Sequence, residues 1–136
     1  MKIIKLNKIS MVLLGLILNS VLINTAFAVD HDYKVTNGNE LDADTYSGFK
    51  LYRNWCARCH GTYGQGMVGP NLAQSLQSIT YEEFVETVTN GKLGNIGSMP
   101  AWKENQSVMQ GMNNLYRYLK ARADGKIGVI KPVKVK

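Results

Sequence analysis

Cys56-Ala57-Arg58-Cys59-His60 is the stretch around which the rest of the chain is organised. Two cysteines separated by two residues, with a histidine directly after, form the attachment signature of a c-type haem. On a short helical turn both thiols meet the two vinyl groups on one edge of a porphyrin. The imidazole then falls under the ring, where it can bind iron as the proximal ligand. The chain has no other cysteine, so rival uses of the thiols are readily weighed. A Cys56–Cys59 disulfide would close a very small loop and constrain little. A thioredoxin-like redox pair needs a βαβ context that the pattern lacks. A zinc site needs further ligands, and the only other histidine, His31, lies in a polar stretch far up the chain.

On the N-terminal side, residues 1–28 read as a secretory signal that is cleaved. Lys2, Lys5 and Lys8 form a positive n-region, Met11 to Leu18 is an apolar run extended by Val21, Leu22 and Ile23, and Ala26-Phe27-Ala28 is an A-x-A cleavage site. Asn19, Ser20 and Asn24 interrupt the run, which is too short to span a membrane comfortably. No cysteine follows the cleavage region, so a lipid anchor is not expected. The expected protein is periplasmic, with no membrane span after cleavage. Cleavage removes three lysines and no acid, so the formal charge of +6 falls to +3. The pI of 9.4 for the whole chain therefore overstates its basicity, and nucleic-acid binding is a poor reading. The mature chain divides into an N-terminal arm (29–43), a haem domain (44–125) and a basic C-terminal tail (126–136).

Within the arm, Asp30 to Asn39 is polar without helical period and reads as extended, with His31 solvated. A first helix is expected from near Asp44 to Cys59, capped by Asp42 or Asp44. Tyr46, Phe49, Tyr52 and Cys56 make its apolar face, and the pentapeptide is its last turn. Gly61 to Gly69 is glycine-rich and reads as a loop, closed by Gly69-Pro70-Asn71-Leu72. A phosphate-cradling role for that loop is weak, because no strand precedes it and no Lys-Ser/Thr comes after it. Thr80-Tyr81-Glu82-Glu83 has the form of a capping box. It starts a helix carrying Phe84, Val85 and Val88 that ends at Asn90-Gly91. A second glycine-rich loop leads to Met99-Pro100-Ala101-Trp102. The last helix is expected from Asn105 or Ser107 to Ala123, with Val108, Met112, Leu115, Leu119 and Ala123 on one stripe. The tail alternates apolar and basic residues around Pro132 and reads as either a short edge strand or a disordered extension. The expectation is an all-α chain without a convincing sheet.

A six-coordinate haem needs a second axial ligand, for which Met67, Met99, Met109, Met112 and His31 are candidates. Met109 and Met112 lie in the last helix, where methionine is more often core filler. Met67 is only seven residues after His60, and the chain would have to wrap the haem edge at once. Met99 lies 39 residues after His60, in a loop stiffened by Pro100, and is the favoured ligand. A His/Met pair raises the reduction potential, which suits an electron acceptor.

The pentapeptide, Gly69-Pro70-Asn71-Leu72, Met99-Pro100 and the aromatic last helix with Leu115-Tyr116-Arg117-Tyr118-Leu119 resemble the class I c-type cytochromes over most of the chain beyond the signal. The resemblance implies a small fold in which the N- and C-terminal helices pack across each other around one covalent haem c. It implies thioether links at Cys56 and Cys59, His60 and Met99 as axial ligands, and Pro70 as the residue whose carbonyl steadies His60. Asp44-Thr45-Tyr46-Ser47-Gly48, Thr80 to Val85, Asn90-Gly91 and Tyr118 to Gly125 are similar to cytochromes of methanol metabolism. Those cytochromes serve PQQ-dependent methanol/alcohol dehydrogenases, including the lanthanide-dependent ones.

The expected role is that of an electron carrier, not an enzyme. It would take single electrons from such a dehydrogenase and pass them toward a downstream cytochrome or terminal oxidase. Lys92, Lys103, Lys126, Lys131, Lys134 and Lys136 are candidate docking charges. The rivals are a general respiratory cytochrome c with another donor, a haem enzyme or gas sensor with an exchangeable distal site, and a structural subunit of a dehydrogenase complex. Met99 speaks against the enzyme or sensor, and no distal histidine or arginine is identifiable.

Overall fold

In a computed structural model, residues 31–94 and 97–136 are described. The signal expected at 1–28 and the start of the arm lie outside them. The order is β1 (Val35–Thr36), β2 (Glu40–Leu41), α1 (Ala43–Trp55), α2 (Ala57–His60), α3 (Leu72–Ser75), α4 (Tyr81–Asn90), β3 (Lys92–Leu93), β4 (Ser98–Met99), α5 (Gln106–Gln110), α6 (Met112–Ala123) and β5 (Val133–Lys134). The chain is mostly helical, and the helices carry the core.

Helix α1 starts where Asp42 accepts hydrogen bonds from the Asp44 and Thr45 backbone N–H groups, so Asp42 rather than Asp44 is the cap. Phe49 and Tyr52 are buried as its periodicity requires. Gly48 sits in mid-helix, where glycine costs about 1 kcal/mol relative to alanine. Its use is the crossing with α6: a Cβ at position 48 would lie 1.8 Å from the Asn114 carbonyl oxygen. The two backbones meet there, flanked by Leu115, Tyr118 and Leu119, all essentially inaccessible. The Tyr118 ring packs 5.3 Å from Phe49 and 5.4 Å from Tyr52. The apolar stripe read from the sequence, Val108 through Ala123, is buried along its whole length.

Two helices are shorter than expected. Cys56 stands as a turn residue between α1 and α2, so the expected single helix is broken at the attachment sequence. Gly111 divides the last helix into α5 and α6, and the division falls where α1 comes close. A Cβ on Gly111 would lie 2.6 Å from Leu51 Cδ2. Helix α4 matches its signals: Thr80 and Glu83 form a reciprocal capping box, and Gly91 ends it at φ +76°.

The arm and tail depart most from expectation. Asn37 and Gly38 both take positive φ in a tight turn closed by Asn39 N–H on Thr36 O at 3.2 Å, and β1 pairs antiparallel with β2. The tail is an ordered edge strand: β5 runs parallel to β2, with Val133 N–H on Asn39 O and Val135 N–H on Leu41 O, both at 2.9 Å. Ile127 and Pro132 of the same tail are buried. The exposed Lys134 and Lys136 guard the open edge against further pairing. His31 is not solvated. Its ring lies 3.8 Å from that of Tyr81, tilted by 37°, and Nδ1 lies 2.6 Å from Asn113 Oδ1.

Candidate functional site

The pentapeptide comes directly after α1, whose last residue is Trp55. Cys56 N–H donates to Tyr52 O at 2.9 Å, continuing the ladder of α1. The Cys59 and His60 N–H groups both return to Cys56 O, at 3.1 and 3.0 Å, winding a short second turn. A helix end leaves its last carbonyls without partners. Here the glycine-rich loop supplies them: Gly66 N–H donates to His60 O and Gly69 N–H to Cys59 O, each at 2.8 Å. Gly61, Gly64 and Gly66 take positive φ to make that reversal. The Tyr52 hydroxyl donates to Gly61 O. Arg122, buried on α6, donates through Nε to Tyr63 O at 2.7 Å and through a terminal nitrogen to Ile127 O, tying loop and tail to the last helix.

His60 is 7% exposed. Its Nδ1 lies 2.9 Å from Pro70 O. Proline fixes the local backbone, and a bond to a carbonyl requires Nδ1 to carry the proton, which leaves Nε2 as the lone-pair donor. Gly69 brings bare backbone against the ring. Both cysteines are free thiols, Cys59 exposed and Cys56 half-buried. Burial first, and the charge of Cys59 second, push the Cys56 thiol up to about 12. Among the described residues no three His, Cys, Asp or Glu side chains gather as a metal site.

The other ligand candidates are dispersed. Met67 is 65% exposed on the glycine loop. Met112 is buried in the core and Met109 packs against it. His31 is held by Tyr81, Tyr116 and Asn113. Met99 is half-buried and belongs to a short strand opposite Lys92, not to the open loop expected. The six candidate docking lysines are all exposed.

A haem c fits this donor set. One turn carries two free thiols and an imidazole whose second nitrogen is already engaged, and a thioether sulfur is available on a separate hairpin. Four contributors escaped the sequence reading: Gly69 against the imidazole, Arg122 on Tyr63 O, and the pair Trp55 and Trp102, whose rings meet edge-on at 5.6 Å. Gly69 and Trp102 stand in the motifs Gly69-Pro70-Asn71-Leu72 and Met99-Pro100-Ala101-Trp102, and Trp55 directly precedes Cys56, but these contacts are not readable from the spacing.

A family model described as cytochrome c oxidase, cbb3-type, subunit III matches residues 43–119. Cytochrome c-555 of Methylococcus capsulatus (strain Bath) is 38% identical over 89 residues, which cover 64% of this chain and 69% of that protein. Cytochrome c-553I of Paracoccus denitrificans is 32% identical over 108 residues, 75% of this chain and 47% of the relative. The crystal structure of the c-type cytochrome XoxG from Methylobacterium extorquens AM1 aligns with a TM-score of 0.71 at 40% identity, over 77% of this chain and 67% of that one.

Proposed function

The chain belongs to the c-type cytochrome family and is a monohaem electron carrier, and from that premise we propose that it works in the periplasm and takes its electrons from a PQQ-dependent methanol or alcohol dehydrogenase. The observation that carries the choice of donor is the likeness to XoxG, at 40% identity over three quarters of the chain. The stretches at Asp44–Gly48 and Tyr118–Gly125, similar to cytochromes of methanol metabolism, support it. Downstream, a second cytochrome or a terminal oxidase receives the electron.

When bound, the haem supplies the one-electron couple of its iron. The chain's own residues hold and tune it. Cys56 and Cys59 hold the macrocycle through thioethers. His60 presents Nε2, with its ring orientation set by the Pro70 carbonyl and its tautomer fixed by the same bond. Met99 would offer the iron a soft thioether sulfur, which would favour the reduced state and raise the potential. Tyr52 and Arg122 keep the loop after His60 in place through Gly61 O and Tyr63 O. The exposed lysines steer encounter with an acidic donor surface, so association weakens as salt rises.

Stopped-flow mixing of the ferric holoprotein with reduced methanol dehydrogenase tests the donor. Fast haem reduction that slows with added salt is expected. Failure to reduce at any ionic strength removes this donor while leaving the carrier reading in place. The ligand is tested separately: Met99→Ala should abolish the ferric methionine-to-iron charge-transfer band.

A further inference from the structure

Met99 stands on a support that does not by itself reach the cysteines. Its hairpin has two residue pairs, Lys92 with Met99 and Leu93 with Ser98, and Leu93 is 86% exposed. A ribbon that short has little stability of its own. Its position comes from its flanks. On one side Gly91 turns at φ +76° and leaves room for the Met99 carbonyl, since a Cβ there would lie 2.5 Å from that oxygen. On the other, Trp102 N–H donates to Val88 O at 3.1 Å and Lys103 N–H to Thr89 O at 3.2 Å. All of these tie the segment to α4. The contact that crosses to the attachment turn is aromatic: the Trp102 ring meets the Trp55 ring at 5.6 Å and 67°, the edge-to-face arrangement that aromatic quadrupoles favour. Trp55 is the residue before Cys56 and is 41% exposed.

We propose that Trp55 and Trp102 form a clasp that positions Met99 for the iron by joining the methionine hairpin to the haem-attachment turn. The inference rests on Met99 being the second axial ligand. Both tryptophans are positioning residues: they act on the strength of methionine ligation through the distance between α4 and the end of α1. Because Trp55 is largely outside the core, its loss should loosen the ligand without unfolding the chain.

The test uses the haem-loaded protein and the variants Trp55→Ala, Trp55→Phe, Trp102→Phe, Trp102→Ala and Met99→Ala. Carbon monoxide binding to the ferrous form reads how readily the methionine leaves, and the ferric charge-transfer band reads whether it is bound. Trp55→Ala and Trp102→Ala should each raise carbon monoxide affinity by about three- to tenfold, the worth of one aromatic pair. The double variant should exceed neither single one by much, and Trp55→Phe should restore most of the loss. If Trp55→Ala lowers the melting temperature but leaves carbon monoxide affinity unchanged, the clasp is overturned and the ligand reading survives. If Met99→Ala keeps the band, the ligand reading fails first. Should Trp102→Ala not take up haem, Trp55→Ala and Trp102→Phe give the same decision.

Discussion

A side chain on Gly69 would run into His60: a Cβ there would lie 2.8 Å from imidazole Cε1 and 2.9 Å from Nδ1. Glycine is needed at this position for space, since no unusual backbone angle is involved. Gly69→Ala should therefore push the ring away from the Pro70 carbonyl and cost about 1–3 kcal/mol of stability, the usual range for overpacking. The ferric spectrum and the fraction of chain carrying haem report the displacement. Gly128→Ala, with nothing within 4 Å, is the control and should stay within about 0.5 kcal/mol of the parent.

Gly48 makes the same argument at the helix crossing with a tighter margin. A methyl at that position would lie 1.8 Å from Asn114 O, which is rigid backbone. Gly48→Ala must separate α1 from α6, so we expect a loss of about 3 kcal/mol or more, a large share of the stability of a small domain. Denaturant unfolding should show a lower midpoint, and the attachment turn should lose haem yield only as far as folding fails.

Asp42 links stability to pH. Its carboxylate accepts from Lys34 N–H at 2.8 Å, from Asp44 and Thr45 N–H, and from the Thr45 hydroxyl at 2.6 Å. Burial alone would raise its pKa, but these bonds, led by the Thr45 hydroxyl, outweigh burial and hold it below the usual 3.8. A carboxylate lowered by folding adds stability above its unfolded pKa and loses it as pH falls through the folded value. Asp42→Ala should cost about 1 kcal/mol near neutrality. The gap between parent and variant should narrow as pH drops below about 4, measured as unfolding free energy against pH.

Arg122 is 7% exposed and serves two carbonyls on different segments, Tyr63 O and Ile127 O. Arg122→Met should leave both acceptors without their charged donor and cost about 2–3 kcal/mol. Arg122→Lys should recover little, because an ammonium lacks the planar fork that reaches both. Amide exchange should accelerate in the glycine loop and in the tail together, far from each other in sequence.

The helices were legible because their signals are local. The 3.6-residue stripe from Val108 to Ala123, the Thr80 capping box and the Asp42 cap each depend on neighbours within a few residues, and each stands in the structure. Breaks at Cys56 and Gly111 were not legible, since Gly111 is set by Leu51 of another helix. The sheet was missed for two reasons. Asn37-Gly38 is a strong local hairpin signal that the polar composition of the arm obscured, whereas β5 depends on a partner almost the whole chain away. At the site, Cys56, Cys59 and His60 stand together on one turn with Pro70 against the imidazole. The Trp55–Trp102 contact joins segments whose approach no spacing reveals.

The parallel pair of β2 and β5 has a consequence for how the chain comes together and apart. It joins Asn39 to Val133 and Leu41 to Val135, near the two ends of the described chain, and sits at the start of α1, about 20 Å of helix from the cysteines. Closing so long a loop costs entropy that only a nearly finished fold repays. The pair is thus a late seal: it cannot form on a growing chain until Val133 to Val135 arrive. Once formed, it makes arm and tail a single unit of local opening, distinct from the helix crossing. The bonds that hold the haem turn, Gly66 N–H to His60 O and Gly69 N–H to Cys59 O, close much shorter loops at far smaller entropic cost.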